Sequence, residues 1–413
     1  MARTVSDSDS LRRQNRSLLL GALRDRGPQS RTVLATTTGL SHASVTAIMQ
    51  DLLAQKIVTE LVSPSSNDSR SRGRPSTLVG FKRDAAYGAL FEIDVNRCRL
   101  SLVDYSGVLV DRIETELGPA SFKDAPPVQF IAERLAALEK RNPSAYAALR
   151  RIAISVQGIL VRDGTGLKWS PIKHFTGNDI TTELTGLTGL PVSLHKRGSL
   201  LAEGTRWVDE RLQDASIATV FIGSTVAIGL SLDPHATGQS SNGATEFGHM
   251  NHSPGGALCR CGARGCIEAY AADYGVLRSA FSVPDTTPPA HSVPTAQYEA
   301  LISRAQHGDR EAIHAFAVAG RAIGYGLARM LSMHDPSHIV IVGPGARALP
   351  LMQHEIENAL QSALVCRING IPELIVHMDE KEPIFRGLQM KTLRDIDHLD
   401  FAPLSTSDRI LGK

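Results

Sequence analysis

The sequence predicts an α/β protein in two unequal parts, an N-terminal winged helix-turn-helix head and a two-lobed body. Three observations carry this. Residues 1–82 read as three short helices closed by two strands, and hold 12 Lys or Arg against 6 Asp or Glu. The chain from Tyr87 opens with three strands joined by tight turns, then alternates helix and strand, and strands recur from Ala218. Three of the five cysteines fall within the eight residues Cys259–Cys266, which marks one compact loop.

Length and composition set the frame. A chain of 413 residues exceeds one ordinary domain and suits two or three. With 42% apolar and 21% charged residues it is a globular composition. No run of 18 apolar residues and no leader pattern appears, so neither membrane nor secretion is expected. Few cysteines, most of them claimed by one cluster, fit a cytoplasmic protein. The head carries +6 in a chain of net +2, leaving −4 on the remainder. A basic head on a mildly acidic body suits nucleic-acid binding through the head.

In the head, Leu11–Arg26 reads as a helix stopped by Gly27-Pro28, and Arg31–Thr37 as a second. Gly39-Leu40-Ser41 makes the turn, with Ser41 placed as N-cap of a third helix. There Val45, Ile48, Met49, Leu52 and Leu53 recur at helical spacing and form one apolar face. The opposite face offers Ser44, Thr46, Ala47 and Gln50, led by Ser41, His42 and Ala43. Small hydrogen-bonding residues at a helix N-terminus suit entry into a DNA major groove beside phosphate. Ile57–Val62 and Thr77–Phe81 read as the strands of a wing. Between them Ser71-Arg72-Gly73-Arg74-Pro75 presents Arg72 and Arg74 on a thin backbone, suited to a narrow A·T-rich minor groove.

In the body, Tyr87–Val95, Cys98–Asp104 and Val108–Glu114 read as strands, followed by helix Pro127–Arg141 and strand Arg151–Val156. A helix at Thr181–Leu187 and a strand at Pro191–His195 come next. Three strands in hairpins and then helix–strand units match the ribonuclease-H-like half of an actin-like fold. The second half shows strands Ala218–Ile222, Val226–Leu232, Ile339–Val342 and Leu374–His377. Phe281–Tyr298, with Pro284, Pro288, Pro289 and Pro294, reads as a surface excursion. The expected division is a head at 1–82 and a body at 83–413, with a first lobe at about 83–205 and a second at about 206–381. The tail after Ile396 carries no reading.

The stretch from Ala244 to Glu268 reads ATEFGHMNHSPGGALCRCGARGCIE. His249 with Cys259, Cys261 and Cys266 is a Cys3His donor set, which suits a closed, structural zinc site. Glycines at 255, 256, 262 and 265 allow so short a loop to fold around one ion.

GATEFGHM followed by CRCGARGCIE resembles the signature of the ROK family, which joins repressors, open reading frames and sugar kinases. The resemblance runs from about Leu11 to about Leu393. It implies an actin-like, two-lobed fold in which a helix at about 382–395 returns to the first lobe. Regulators of the family carry an added DNA-binding head, with a similar Gly-Leu-Ser turn and Gly-Arg-Pro segment. Glu246, His249 and Glu268 match positions that hold sugar hydroxyls in the family. Glu246 and Glu268 equally suit bracing of the metal loop.

The family's kinase features are depleted. The first phosphate turn reads Asp94-Val95-Asn96-Arg97 without glycine, and the second, Gly223-Ser224-Thr225-Val226-Ala227-Ile228-Gly229, keeps glycine only at its ends. Where the family has Glu-Asn-Asp after Pro-Val, this chain has Pro191-Val192-Ser193-Leu194-His195-Lys196-Arg197, so the catalytic Asp is absent. His195 and Asp209 are the nearby substitutes as base. Lys196 and Arg197 would favour an anionic effector, a sugar phosphate or sugar acid, over a neutral sugar. The expectation is therefore a repressor of carbohydrate-related genes, not an enzyme, with structural zinc and no ATP. It would bind double-stranded DNA at a pseudo-palindromic operator as a homodimer or higher homo-oligomer. The alternative is a ROK sugar kinase with divergent phosphate loops.

Overall fold

The computed structural model describes residues 7–61, 77–118, 121–122, 126–231, 246–290 and 292–402. The head contains α1 (Asp7–Arg26), β1 (Gln29–Ser30), α2 (Arg31–Thr38), α3 (His42–Ala54), β2 (Val58–Leu61) and β3 (Leu78–Phe81). Val45, Ile48, Met49 and Leu52 of α3 are buried with Leu19, Leu20 and Leu23 of α1 and Leu34 of α2, so the predicted apolar stripe faces the head's core. Ser41 caps α3, its hydroxyl accepting from the Ser44 amide at 3.1 Å. β1, which the sequence reading lacks, pairs with β3 and gives the order β1-β3-β2. A strand of two residues has no periodicity to read. Arg72 and Arg74 lie outside the described residues.

The first lobe comprises β4 (Tyr87–Ile93), β5 (Arg97–Asp104), β6 (Leu109–Glu116), α4 (Pro127–Arg141), α5 (Pro143–Ala147) and β7 (Leu149–Val156). There follow a small pair, β8 (Ile159–Leu160) and β9 (Leu167–Trp169), then α6 (Ile180–Thr188) and β10 (Val192–Lys196). The sheet order is β10-β7-β4-β5-β6. β4, β5 and β6 are antiparallel, while β7 and β10 join parallel. Parallel neighbours need a crossover, which α4 and α6 supply.

Helix α7 (Arg197–Val208) leads to β11 (Ile217–Ile222) and β12 (Val226–Ser231) of the second lobe. Then come α8 (Glu268–Ala271), α9 (Asp273–Ala280), α10 (Thr295–Gln306), α11 (Arg310–Leu331), β13 (His338–Val342), α12 (Leu349–Gln361), α13 (Leu364–Asn369) and β14 (Glu373–His377). The order is β12-β11-β13-β14, with β13 and β14 parallel to β11. The proline-rich excursion is shorter than the sequence suggests, because α10 already starts at Thr295, just after Pro294. A helix tolerates proline just outside its first turn, so these prolines mark the boundary and not the whole stretch.

Helix α14 (Lys381–Asp395) packs across α7 at backbone distance. A Cβ at Gly204 would lie 1.7 Å from the Pro383 carbonyl oxygen, and one at Gly387 2.1 Å from that of Leu200. Beyond α14 the chain continues as a π-helical turn, Ile396–Phe401, that returns to the head. Asp397, with no exposed side-chain surface, takes a two-pronged bond from Arg24 of α1: Nε to Oδ2 at 3.1 Å and Nη2 to Oδ1 at 2.9 Å. The Tyr105 hydroxyl donates to the same carboxylate at 2.5 Å, and Arg24 Nη1 donates to the Tyr105 carbonyl at 2.7 Å. Burial, then the Asp397 charge, holds the Tyr105 phenol well above its ordinary pKa, so it stays a donor. Phe81, Tyr105 and Phe401 stack edge to face around the pair.

Either Gly204→Ala or Gly387→Ala therefore forces α7 and α14 apart. The expected result is a loss of about 1–3 kcal/mol, as for other overpacked contacts, read as a lower urea midpoint. An unchanged midpoint in both would contradict the contact.

Candidate functional site

Two short bridges, Asn251 with Cys266 and Leu258 with Arg264, fold the cysteine loop on itself. Gly265 sits at φ 83°, and a Cβ there would lie 1.8 Å from the Ser253 carbonyl oxygen, so only glycine closes this turn. The fold brings His249, Cys259, Cys261 and Cys266 together, with one donor atom from each inside a 4.8 Å sphere of mutual separation. Cys259 Sγ lies 3.7 Å from His249 Nδ1, and Cys261 Sγ lies 3.7 Å from Cys266 Sγ. A disulfide would need about 2.05 Å. A tetrahedron with metal–sulfur bonds of about 2.3 Å has edges near 3.8 Å, so the donor set fits a zinc-sized ion.

Glu268 stands behind these donors. Only 2% exposed, it accepts from the Val226 amide at 3.3 Å and from the Tyr274 hydroxyl at 3.3 Å, and its Oε1 is 3.6 Å from Cys259 Sγ. Burial, then the neighbouring Glu268 charge, pushes the Cys259 thiol well above its usual range, and burial pushes Cys266 up to about 11. A metal ion bound there would have to displace the protons of both thiols. Each Glu268 oxygen thus accepts a hydrogen bond, from β12 on one side and from Tyr274 on the other. Arg260, between two of the cysteines, donates to the carbonyls of Ser224 and Ala290. It thereby ties the cysteine loop to the turn that follows β11, a link that sequence spacing does not reveal. Trp169 of β9, also missed, meets the His249 ring edge to face at 5.7 Å.

The cleft residues are paired within the protein. Lys196 Nζ contacts the Glu246 carboxylate directly. Arg197 opens α7 and lies 3.6 Å from Asp94 and 3.8 Å from Glu380, with its guanidinium over the Phe221 ring. Both cations thus have carboxylate partners within the protein, Asp94 being shared between Arg197 and Arg97. The gap beside Arg197, lined by Glu92, Asp94, Arg97, Arg99 and Lys381, measures ≈ 10 Å³, about one water. His195 faces the other side of β10, hydrogen-bonded to Ser193 Oγ at 2.9 Å. Asp209 caps the far end of α7 from Arg197 and is held by Arg211 at 2.6 Å.

On the head, Ser41, His42, Ala43, Ala47 and Gln50 are exposed, and Ser44 and Thr46 half-buried, along one side of α3. Nearby cations are partly engaged: Arg31 pairs with Glu60 at 2.9 Å, and Arg12 with Asp51.

A three-helix head on a two-sheet body, with α7 and α14 crossing between the sheets, is the build of a two-lobed actin-like protein carrying an added N-terminal domain. The family model described as "ROK family" matches residues 99–382, and the chain belongs to that family. It is similar to the xylose repressor of Bacillus subtilis (strain 168), 23% identical over 90% of this chain and 92% of that one. It is also similar to the DNA-binding transcriptional repressor Mlc of Escherichia coli (strain K12), 25% identical over 86% of each. Among solved structures, a ROK family transcriptional regulator, homolog of the E. coli MLC protein, superposes with a TM-score of 0.75 at 19% identity, covering 96% of this chain and 99% of that one. No helix among the described residues is long and apolar enough to cross a membrane.

His195 yields a pH prediction. Burial lowers its pKa from 6.5 to about 4, so the unfolded chain binds the extra proton between those values. Its contribution to stability is complete above about pH 6.5 and is lost as pH falls through about 4, up to roughly 3 kcal/mol at 1.36 kcal/mol per unit. His195→Gln should flatten the fall in melting temperature between these pH values. A slope equal to wild type would assign the acid sensitivity elsewhere.

Proposed function

We propose that this chain is a DNA-binding transcriptional regulator, a repressor of carbohydrate-related genes, whose kinase-like body performs no phosphotransfer. The observation that carries the reading is the solvent-facing row Ser41, His42, Ser44, Thr46 and Gln50 at the capped end of α3. It lies in a chain whose similarity to a named repressor extends over 90% of its length. These side chains are small hydrogen-bonding groups of the kind that read base edges, and the free amides of the helix N-terminus favour phosphate. With β2 and β3 as wing strands the head is a winged helix-turn-helix. Arg72 and Arg74 belong to the segment that would reach an A·T-rich minor groove. One head makes few contacts, so two heads on a homodimer or higher homo-oligomer read a pseudo-palindromic operator.

Three features support a body without phosphotransfer. Arg197, two residues beyond the place where the family resemblance expects the catalytic Asp, is engaged by Asp94 and Glu380. His195, third after Pro191-Val192 and so at the place of that Asp, is buried and bonded to Ser193 Oγ. Arg260 occupies a carbonyl of the second phosphate turn. The body instead serves effector sensing and self-association. With Lys196 and Arg197 already paired, its cleft suits a neutral sugar better than a sugar phosphate or sugar acid, because an anion would have to displace a carboxylate. His249, Cys259, Cys261 and Cys266 hold one structural zinc, with all four positions filled by protein.

Binding to DNA selected from a random pool should weaken steeply with salt, about 10³-fold between 50 and 200 mM if six phosphates are contacted. Salt-insensitive binding, or sugar-dependent ATP turnover by the same preparation, would overturn the reading. Elemental analysis should find about one zinc per chain. Cys259→Ser should lose that zinc and melt at lower temperature, and a zinc-free protein that melts like wild type would refute the structural role.

A further inference from the structure

We propose that Asp397 is a positioning residue for DNA recognition. By clamping Arg24 and Tyr105 it fixes the orientation of the reading head on the body, and so sets the half-site spacing that a pair of heads accepts. The proposal rests on the DNA-binding reading above.

The head joins the body covalently through one short link, from Phe81 to Tyr87. A single link leaves a small domain free to swing. The tail removes that freedom from the opposite side. The Arg24 side chain is 3% exposed and that of Asp397 0%. The paired bonds between them follow the planar fork of the guanidinium, which is directional and does not slide as a point charge does. Tyr105, from the turn after β5, closes the triangle by accepting from Arg24 and donating to Asp397. The tail is anchored to the body independently, because Arg151 of β7 holds Asp400 at 2.8 and 3.0 Å. A third tie lies at the surface, where Arg394 of α14 reaches Asp25 of α1 at 3.1 Å and also Glu203 of α7. Ser17 of α1 meets His398 as well. These contacts converge on α1, one helix removed from the α2–α3 reading pair, and leave α3's exposed row clear.

Two rigidly held heads concentrate the second reading surface at one separation, whereas loosely held heads spread it over many. Spacing selectivity is thus the readout that orientation controls, and a merely stabilising role would not change it. Half-sites taken from pool-selected DNA are moved apart or together by one and two base pairs and titrated with the full chain, alongside a single half-site at low salt. Wild type should lose about tenfold or more in affinity away from the best spacing, and Asp397→Asn should compress that penalty to within about threefold with single half-site binding retained. Arg394→Gln, at a side chain one-third exposed and so tolerant of change, should compress it in the same direction.

A wild-type profile in both variants would overturn the proposal. So would loss of single half-site binding in Asp397→Asn together with an unchanged profile in Arg394→Gln, since Asp397 would then serve only to fold the head. A flat profile in the wild type also overturns it while leaving the regulatory reading intact. Wild type that selects no DNA sinks that reading itself.

Discussion

The crossing of α7 and α14 at Gly204 and Gly387 is the contact on which the other features depend. Main chain meets main chain there, with the Pro383 and Leu200 carbonyls occupying the space of absent side chains. Helices in such contact have no intervening side chains to repack, so neither shifts without carrying the other. The start of α7 presents Arg197 to Asp94 and Glu380 in the cleft. Its last turn presents Arg206, which donates to the carbonyls of Ala215 and Ser231 in the second lobe. The end of α14 delivers the turn that meets the head. Cleft, second lobe and head are therefore referred to one pair of helices.

Charge in the interior follows a consistent rule. Several buried cations are matched by carboxylates, as desolvation requires. Arg99 lies between Glu92 and Glu114, Arg197 between Asp94 and Glu380, and Arg24 within the fork of Asp397. At a pair as enclosed as Arg24 and Asp397, removing one partner strands the other, a cost of about 3–5 kcal/mol in comparable cases. The same constraint explains why the cleft, rich in lysine and arginine by sequence, offers no spare positive charge at Lys196 or Arg197.

Much of this was legible from the sequence because periodicity and punctuation report local structure. The apolar stripe of α3, the Ser41 cap and the stop at Gly27-Pro28 each lie within a few residues of one another. The strands of both sheets were readable from β-rich runs, and helix Pro127–Arg141 has those bounds in the structure. The grouping of His249 with the three cysteines was legible because the cysteines share one loop. What escaped depends on distance along the chain. Nothing near Lys196 announces Glu246, nothing near Arg260 announces Ser224, and the tail looks featureless until Asp397 is placed beside Arg24.

The clamp between Arg24 and Asp397 spans 373 positions. A ribosome adding about 5–20 residues per second needs roughly 20–75 s to make the second partner after the first. Throughout synthesis the head therefore waits, with the Arg24 guanidinium in water and the aromatic faces of Phe81 and Tyr105 without the Phe401 ring that later covers them. The head can therefore fasten only after Asp397 has been made, and a chain truncated just before that residue would carry every described strand and the whole cysteine loop but leave its head unfastened.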